Sequence, residues 1–180
     1  MKQSVIELSP AQQAGFDALI RAWDVGHVFG FWGAPGTGRT TVVARLAKEL
    51  KAGVIDFAEY LRALEGLHPL QMDEAFYRLV LDTLKKHDTV IIDDAVVLDG
   101  ITGSHCGSYP RAGLIDGVYA AIAGFVEGAA KKLVLVGDHP PRSIYQRIWS
   151  YGIEQFKAGD YDFFLRKTLE PDQKIGRAHV

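Results

Sequence analysis

One cysteine, Cys106, in 180 residues excludes an internal disulfide and a Cys-based metal cluster, so a fold here has to be held by burial. No apolar run approaches the ~20 residues a bilayer-spanning helix needs, and Met1-Lys2-Gln3-Ser4 leads into no signal-type apolar stretch. The expected location is therefore the cytoplasm, with no membrane partner. Charge of one sign is also lacking. Twenty Lys and Arg against 22 Asp and Glu give a net −2, which argues against non-specific nucleic-acid binding as the main activity and leaves room for a local basic patch. Internal repeats and low-complexity linkers are missing as well. What remains is 48% hydrophobic and 23% charged, enough for one domain with a sizeable core and too short for two ordinary ones.

Strand-like apolar runs alternate with amphipathic helical stretches, the pattern of a parallel sheet with helices on both faces. Five strands are expected: Val28 to Trp32, Val54 to Phe57, Thr89 to Ile92, Leu133 to Val136 and Gly152 to Phe156. The opening helix has Ser9 as its cap and Pro10 at its first position, with Phe16, Leu19, Ile20 and Trp23 on one face. Further helices are expected after the first strand, over Pro69 to Lys86 and Ala112 to Ala130, with a short one around Ser143 to Trp149. Asp99 to Arg111 is polar and glycine-rich and reads as a long exposed loop.

The apolar run Val28-Phe29-Gly30-Phe31-Trp32 feeds directly into Gly33-Ala34-Pro35-Gly36-Thr37-Gly38-Arg39-Thr40, followed by Thr41 and a helical stretch. This is a phosphate-binding P-loop at every position but one. Gly33, Gly36 and Gly38 allow a tight turn whose N–H groups point at phosphate oxygens, and the helix adds the positive end of its dipole. Thr40 is the expected Mg²⁺ ligand, and residue 39 is the one that reaches the β- and γ-phosphates. That residue is ordinarily lysine. Arg39 keeps the charge, but its guanidinium is bulkier and donates in a fixed fork. Loss of catalysis, a tolerated variant and an engineered or erroneous codon all account for it. A glycine-rich strand-to-helix turn without a ligand is the bland alternative.

Thr89-Val-Ile-Ile-Asp93-Asp94 is an apolar strand ending in two acids. Downstream of a P-loop, the first acid is expected to hold Mg²⁺ through water, and Asp94 to activate the attacking water. A solvated turn is the competing reading.

With both motifs and five strands, the chain from about Val5 to Glu170 resembles the ATPase core of AAA+ proteins. The resemblance implies a P-loop NTPase three-layer αβα sandwich with a five-stranded parallel sheet in the order 5-1-4-3-2. It further implies ATP and Mg²⁺ as cofactors, hydrolysis coupled to remodelling of an unknown protein or nucleic acid, and a homo-oligomeric ring. Asp138, after Leu133-Val-Leu-Val-Gly137, looks like the position that senses the γ-phosphate; a turn-capping role is the alternative. Arg142 and Arg147 are the candidates for the arginine that reaches a neighbouring subunit's nucleotide, against a surface salt bridge. The chain departs from the family pattern at Arg39, at Asp94, where glutamate is commoner, and at Asp138. Residues 1–24 are expected to form the first helix of the core, 25–158 the nucleotide-binding core and 159–174 the start of a truncated helical lid.

Two other functions stay open: a non-hydrolysing nucleotide-binding regulatory module, because of Arg39, and a small-molecule P-loop kinase. Substrate choice is not legible, although a pore loop in the family would lie between Phe57 and Pro69, where Tyr60 or Leu61 would face a channel. His105, Cys106 and His139 fit no zinc spacing, and the late aromatics from Trp149 to Phe164 read as packing. Ile175-Gly-Arg-Ala-His-Val180 is the translation of ATC-GGA-AGA-GCA-CAC-GTC, a stretch of a sequencing adapter. The expectation is that residues 175–180 are non-native and that the reading frame ran off a fragment.

Overall fold

The computed structural model describes residues 6–95, 111 and 113–169. The expected loop from Asp99, apart from Arg111, and the adapter-like tail lie outside the described residues. Helix α1 spans Pro10–Arg21 and leads through a 3₁₀ turn, Trp23–Val25, to β1, Val28–Trp32. Then follow α2, Arg39–Leu50, β2, Gly53–Ile55, α3, Phe57–Ala63, α4, Met72–Lys86, and β3, Thr89–Ile92. After the undescribed stretch come α5, Leu114–Gly128, β4, Lys132–Gly137, β5, Trp149–Gly152, and α6, Ala158–Thr168.

The strands form one parallel sheet in the order β2-β3-β4-β1-β5, which is the expected order read from the other edge. Every residue of β1 and β3 is buried, because helices cover both faces and each strand needs apolar side chains on both. One core lies beneath α4 and α5 and includes Phe76, Val80, Tyr119, Ile122, Leu133 and Leu135. The other lies beneath α1 and α2 and includes Leu19, Phe29, Phe31, Val43, Leu46 and Val136. Each such buried side chain contributes about 1.5–3 kcal/mol of transfer free energy.

Four expected elements are displaced. β5 runs over Trp149–Gly152 rather than Gly152 to Phe156, because it pairs with β1 from Phe29↔Trp149 to Trp32↔Gly152. That register sets Trp149 edge-on to Phe29 and stacks Tyr151 on Phe31, an aromatic contact that Gly152 to Phe156 does not offer. The short helix expected over Ser143 to Trp149 shrinks in consequence to a 3₁₀ turn, Arg142–Ile144. β2 stops at Ile55, since the Asp56 carboxylate accepts from Glu59 N–H at 2.7 Å and caps α3. The helix expected from Pro69 opens as a separate 3₁₀ turn, Pro69–Gln71, before α4.

Helix α3 also corrects the pore-loop expectation at Tyr60. That ring is 3% exposed, packs edge-on against Phe76 and donates its hydroxyl to the Met72 carbonyl at 3.2 Å, so it belongs to the core. Leu61, one residue on, is exposed. Among the described residues no helix is long and apolar enough to cross a membrane.

Candidate functional site

All five strands point their C-terminal ends at one edge of the sheet, and the two sequence motifs meet there. The P-loop leaves β1 with Gly33 N–H donating to the Gly137 carbonyl at the end of β4 at 3.1 Å. It turns through Gly36 (φ 86°) and Gly38 (φ 74°), both in the left-handed region that favours glycine. Gly38 is also the N-cap of α2. Thr37 N–H donates to the Ala34 carbonyl at 3.2 Å and the Thr37 hydroxyl to the same oxygen at 2.8 Å. Thr41 N–H turns back to Gly38 at 3.0 Å. Arg39, Thr40 and Thr41 form the first turn of α2, where the unpaired N–H groups of a helix lie.

Asp93 follows β3 and is 9% exposed. Its backbone N–H is spent on the Ile55 carbonyl at 2.9 Å. Burial pushes its carboxyl above the usual carboxylate range, and the charge of Asp94 adds to the push. The Thr40 hydroxyl, the Asp94 N–H and the Arg39 charge pull the other way. A buried acid that donors only partly satisfy, beside the hydroxyl of a P-loop threonine, is a fit for a hard divalent cation, which takes oxygen ligands. Thr40 and Asp93, the predicted metal residues, are thus brought together.

Arg39 does what the sequence did not foretell. Its Nη1 donates to the Gly33 carbonyl at 2.9 Å and its Nη2 reaches Asp94 Oδ1 at 3.3 Å. The guanidinium spans the loop from its first residue to the acid expected to activate water. Asp94 sits at φ 53°, a left-handed conformation that Asp tolerates better than most residues, and its N–H donates to Asp93 Oδ1 at 3.1 Å. Its side chain is half exposed. Beyond the two acids a recess is lined by Ile55, Asp56, Phe57, Tyr60 and Phe76.

Asp138 follows Gly137 and so stands beside the start of the P-loop; its carboxylate faces the His139 ring at 3.5 Å. Arg142 opens the 3₁₀ turn after Pro141. Arg147 pairs with Glu127 at the C-terminal end of α5. Because α5 ends where β4 begins, this ion pair lies at the opposite edge of the sheet from the P-loop, about a strand length away.

Sequence reasoning missed Gln12. It is 2% exposed, and its Nε2 donates to the Thr37 carbonyl of the P-loop at 3.1 Å. The signal was present in Ser9-x-x-Gln12, a capping-box spacing, but nothing in that spacing says that the amide's other end reaches the loop.

A parallel sheet in this order, with a P-loop after β1 and paired acids after β3, is the architecture of the AAA+ ATPase core. The solved structures bear out the fold. The chain is similar to AMPPCP-bound DnaA from Aquifex aeolicus, with 12% identity and a TM-score of 0.62 over 98% of this chain and 58% of that one. It is similar to domain III of the Thermotoga maritima replication initiation protein DnaA, with 18% identity and a TM-score of 0.57 over 89% of this chain and 69% of that one. A replication initiator DnaA bound to AMPPCP and single-stranded DNA matches with 17% identity and a TM-score of 0.60 over 91% of this chain and 54% of that one. The chain thus spans little more than half the length of most of these proteins. No protein-family model matches the sequence, and no curated protein matches it significantly.

Proposed function

We propose that the chain is the nucleotide-binding core of an AAA+ ATPase that binds Mg-ATP between its P-loop and Asp93 and couples hydrolysis to remodelling of a macromolecule. The observation that carries this reading is the buried Asp93 carboxylate at the mouth of the loop, close enough to the Thr40 hydroxyl for that hydroxyl to favour its charged form. Thr40 and Asp93 would hold Mg²⁺, and the loop amides of Gly36, Gly38, Arg39 and Thr40 would take the phosphates. The bound cation would neutralise charge on the transferring phosphoryl. Binding of AMPPCP by two structurally similar DnaA proteins supports a nucleotide in this loop.

The ion pair of Arg39 with Asp94 favours a second reading, a module that binds nucleotide without hydrolysing it. An acid engaged by a guanidinium is not free to take a proton from water, and Arg39 has to leave both its partners before it reaches a phosphate. Positioning errors of about 1 Å in phosphoryl transfer cost on the order of 10²-fold in rate. The kinase reading gains no support. Among the described residues the recess beside Asp93 is lined by aliphatic, aromatic and acidic side chains, with no Lys or Arg to hold a phosphorylated acceptor, and Asp56 is occupied as a helix cap.

The lid start belongs to the same reading: α6 docks on α1 through Asp160, as the first element of a small helical domain. So does assembly. Arg147 lies at the sheet edge away from the chain's own P-loop, where it would serve a neighbouring copy. The deciding experiment is Mg-ATP binding and turnover for the chain and its Arg39→Lys variant. Binding with turnover in the natural chain upholds the ATPase. Binding without turnover, with turnover gained by Arg39→Lys, establishes the gated module, and no binding by either rejects both.

A further inference from the structure

Three polar residues that the nucleotide site does not account for, Asp160 (2% exposed), Ser9 (0%) and Gln12 (2%), are almost wholly enclosed between α6, α1 and the P-loop, next to Thr37 of the loop itself (8%). Buried polar groups are retained where their hydrogen bonds are made; the Ser9 hydroxyl makes none among the described residues, but the other bonds, joined through the backbone of the first turn of α1, link α6 to the loop. The Asp160 carboxylate accepts from Lys157 N–H at 2.9 Å through Oδ2, capping its own helix, and from Ala11 N–H at 2.7 Å through Oδ1. It therefore also holds the first turn of α1. In that same turn Ser9 N–H donates to Gln12 Oε1 at 3.0 Å, which fixes the amide so that its Nε2 points at the Thr37 carbonyl.

The consequence for the loop follows from the planarity of the peptide group. In a trans peptide the C=O and the next N–H point in opposite directions. A Thr37 carbonyl held on Gln12 therefore turns the Gly38 N–H away from α1, towards the concave side of the loop where a phosphate sits. Gly38 is tailored to the same contact, because a Cβ there would lie 2.2 Å from Gln12 Nε2. The amide fills the space a side chain would take.

We infer that Gln12 is a positioning residue for phosphate binding, and that Asp160 sets it through the first turn of α1, so that docking of α6 and the conformation of the P-loop are coupled. The inference rests on the nucleotide-binding reading for its use, but not for its test. Gln12→Met keeps the volume and removes both amide bonds; Asp160→Ala removes the shared cap; Leu84→Ala, in the core beneath α4, lowers stability remote from the path. Amide hydrogen exchange of the nucleotide-free chain is followed at Thr37 to Val42, and Mg-ATP affinity is measured by titration.

Gln12→Met and Asp160→Ala are expected to speed exchange in the loop and to weaken Mg-ATP binding about tenfold, the equivalent of one lost hydrogen bond. The double variant should match Gln12→Met to within about twofold, since the two act through one path. Leu84→Ala should lower the melting temperature without either effect. Loop exchange and affinity that follow melting temperature alike in all three variants overturn the inference. A loop that responds to Gln12→Met but not to Asp160→Ala overturns the coupling to α6. If the natural chain binds no nucleotide, the functional reading falls, and loop exchange still decides the coupling.

Discussion

At the residue scale the P-loop was the most legible part of the site, because its geometry is written in glycines: a left-handed φ at Gly36 and Gly38 is a demand few other residues meet. Gly38→Ala tests that demand. The strain of a left-handed alanine, about 1–2 kcal/mol, adds to the collision with Gln12, so the melting temperature should fall by roughly 2–8 °C and Mg-ATP binding should be lost. A variant that binds as tightly as the parent would remove the loop from the site. The pairing of Arg39 with Asp94 was not legible, since 55 residues separate them and only the juxtaposition of the β1 and β3 ends brings them together. Asp94→Asn withdraws the charge that holds Arg39. On the gated reading it should therefore tighten binding of nucleotide, the guanidinium being released towards the phosphates, while leaving turnover undetectable. Unchanged or weaker affinity would show that the ion pair does not restrain Arg39.

Elements were read well where one force decided them and poorly where two competed. β1, β3 and β4 are apolar runs buried on both faces, so their limits came out of the sequence almost unaltered. β5 did not, since its register is decided by aromatic contacts with β1 across the sheet rather than by its own hydrophobicity. The end of β2 was lost to Asp56, whose capping of α3 outweighs the strand preference of Val54-Ile55-Asp56-Phe57. The docking of α6 is of this second kind. Asp160 is buried, which by itself would raise its pKa, yet the N–H groups of Ala11 and Lys157, with the Ser9 hydroxyl beside them, outweigh burial and hold it below its ordinary 3.8. A carboxylate whose pKa is lowered on folding stabilises the fold above its unfolded pKa, and loses that contribution as pH falls through the folded value. Asp160→Ala should therefore cost about 1–2 kcal/mol at neutral pH, as loss of a helix cap does. The gap between variant and parent in urea unfolding should close as the pH drops below about 4. A gap that stays constant down to acid pH would assign the loss to packing and not to the carboxylate.

For the whole molecule, the parallel sheet divides the work between its two edges. The P-loop, Thr40 with Asp93, and Asp138 gather at the C-terminal ends of the strands, while Arg147 is tied to Glu127 at the other edge. A side chain there is a strand length from its own chain's P-loop, so on the proposed reading its use in hydrolysis requires a second copy. That requirement gives a test that no single-chain defect can mimic. Asp93→Asn removes the cation residue and Arg147→Ala the distant arginine, and each variant alone should be without turnover; Arg147→Ala should still bind Mg-ATP with the affinity of the parent, because it touches no nucleotide in cis. Mixed, the two restore one intact site wherever an Asp93→Asn copy presents its arginine to an Arg147→Ala neighbour, so turnover should reappear, rising with total concentration as association does. Mixing without recovery, together with turnover in Arg147→Ala equal to the parent's, would return Arg147 to the role its present contact already describes, a salt bridge that fastens the segment before β5 to the end of α5.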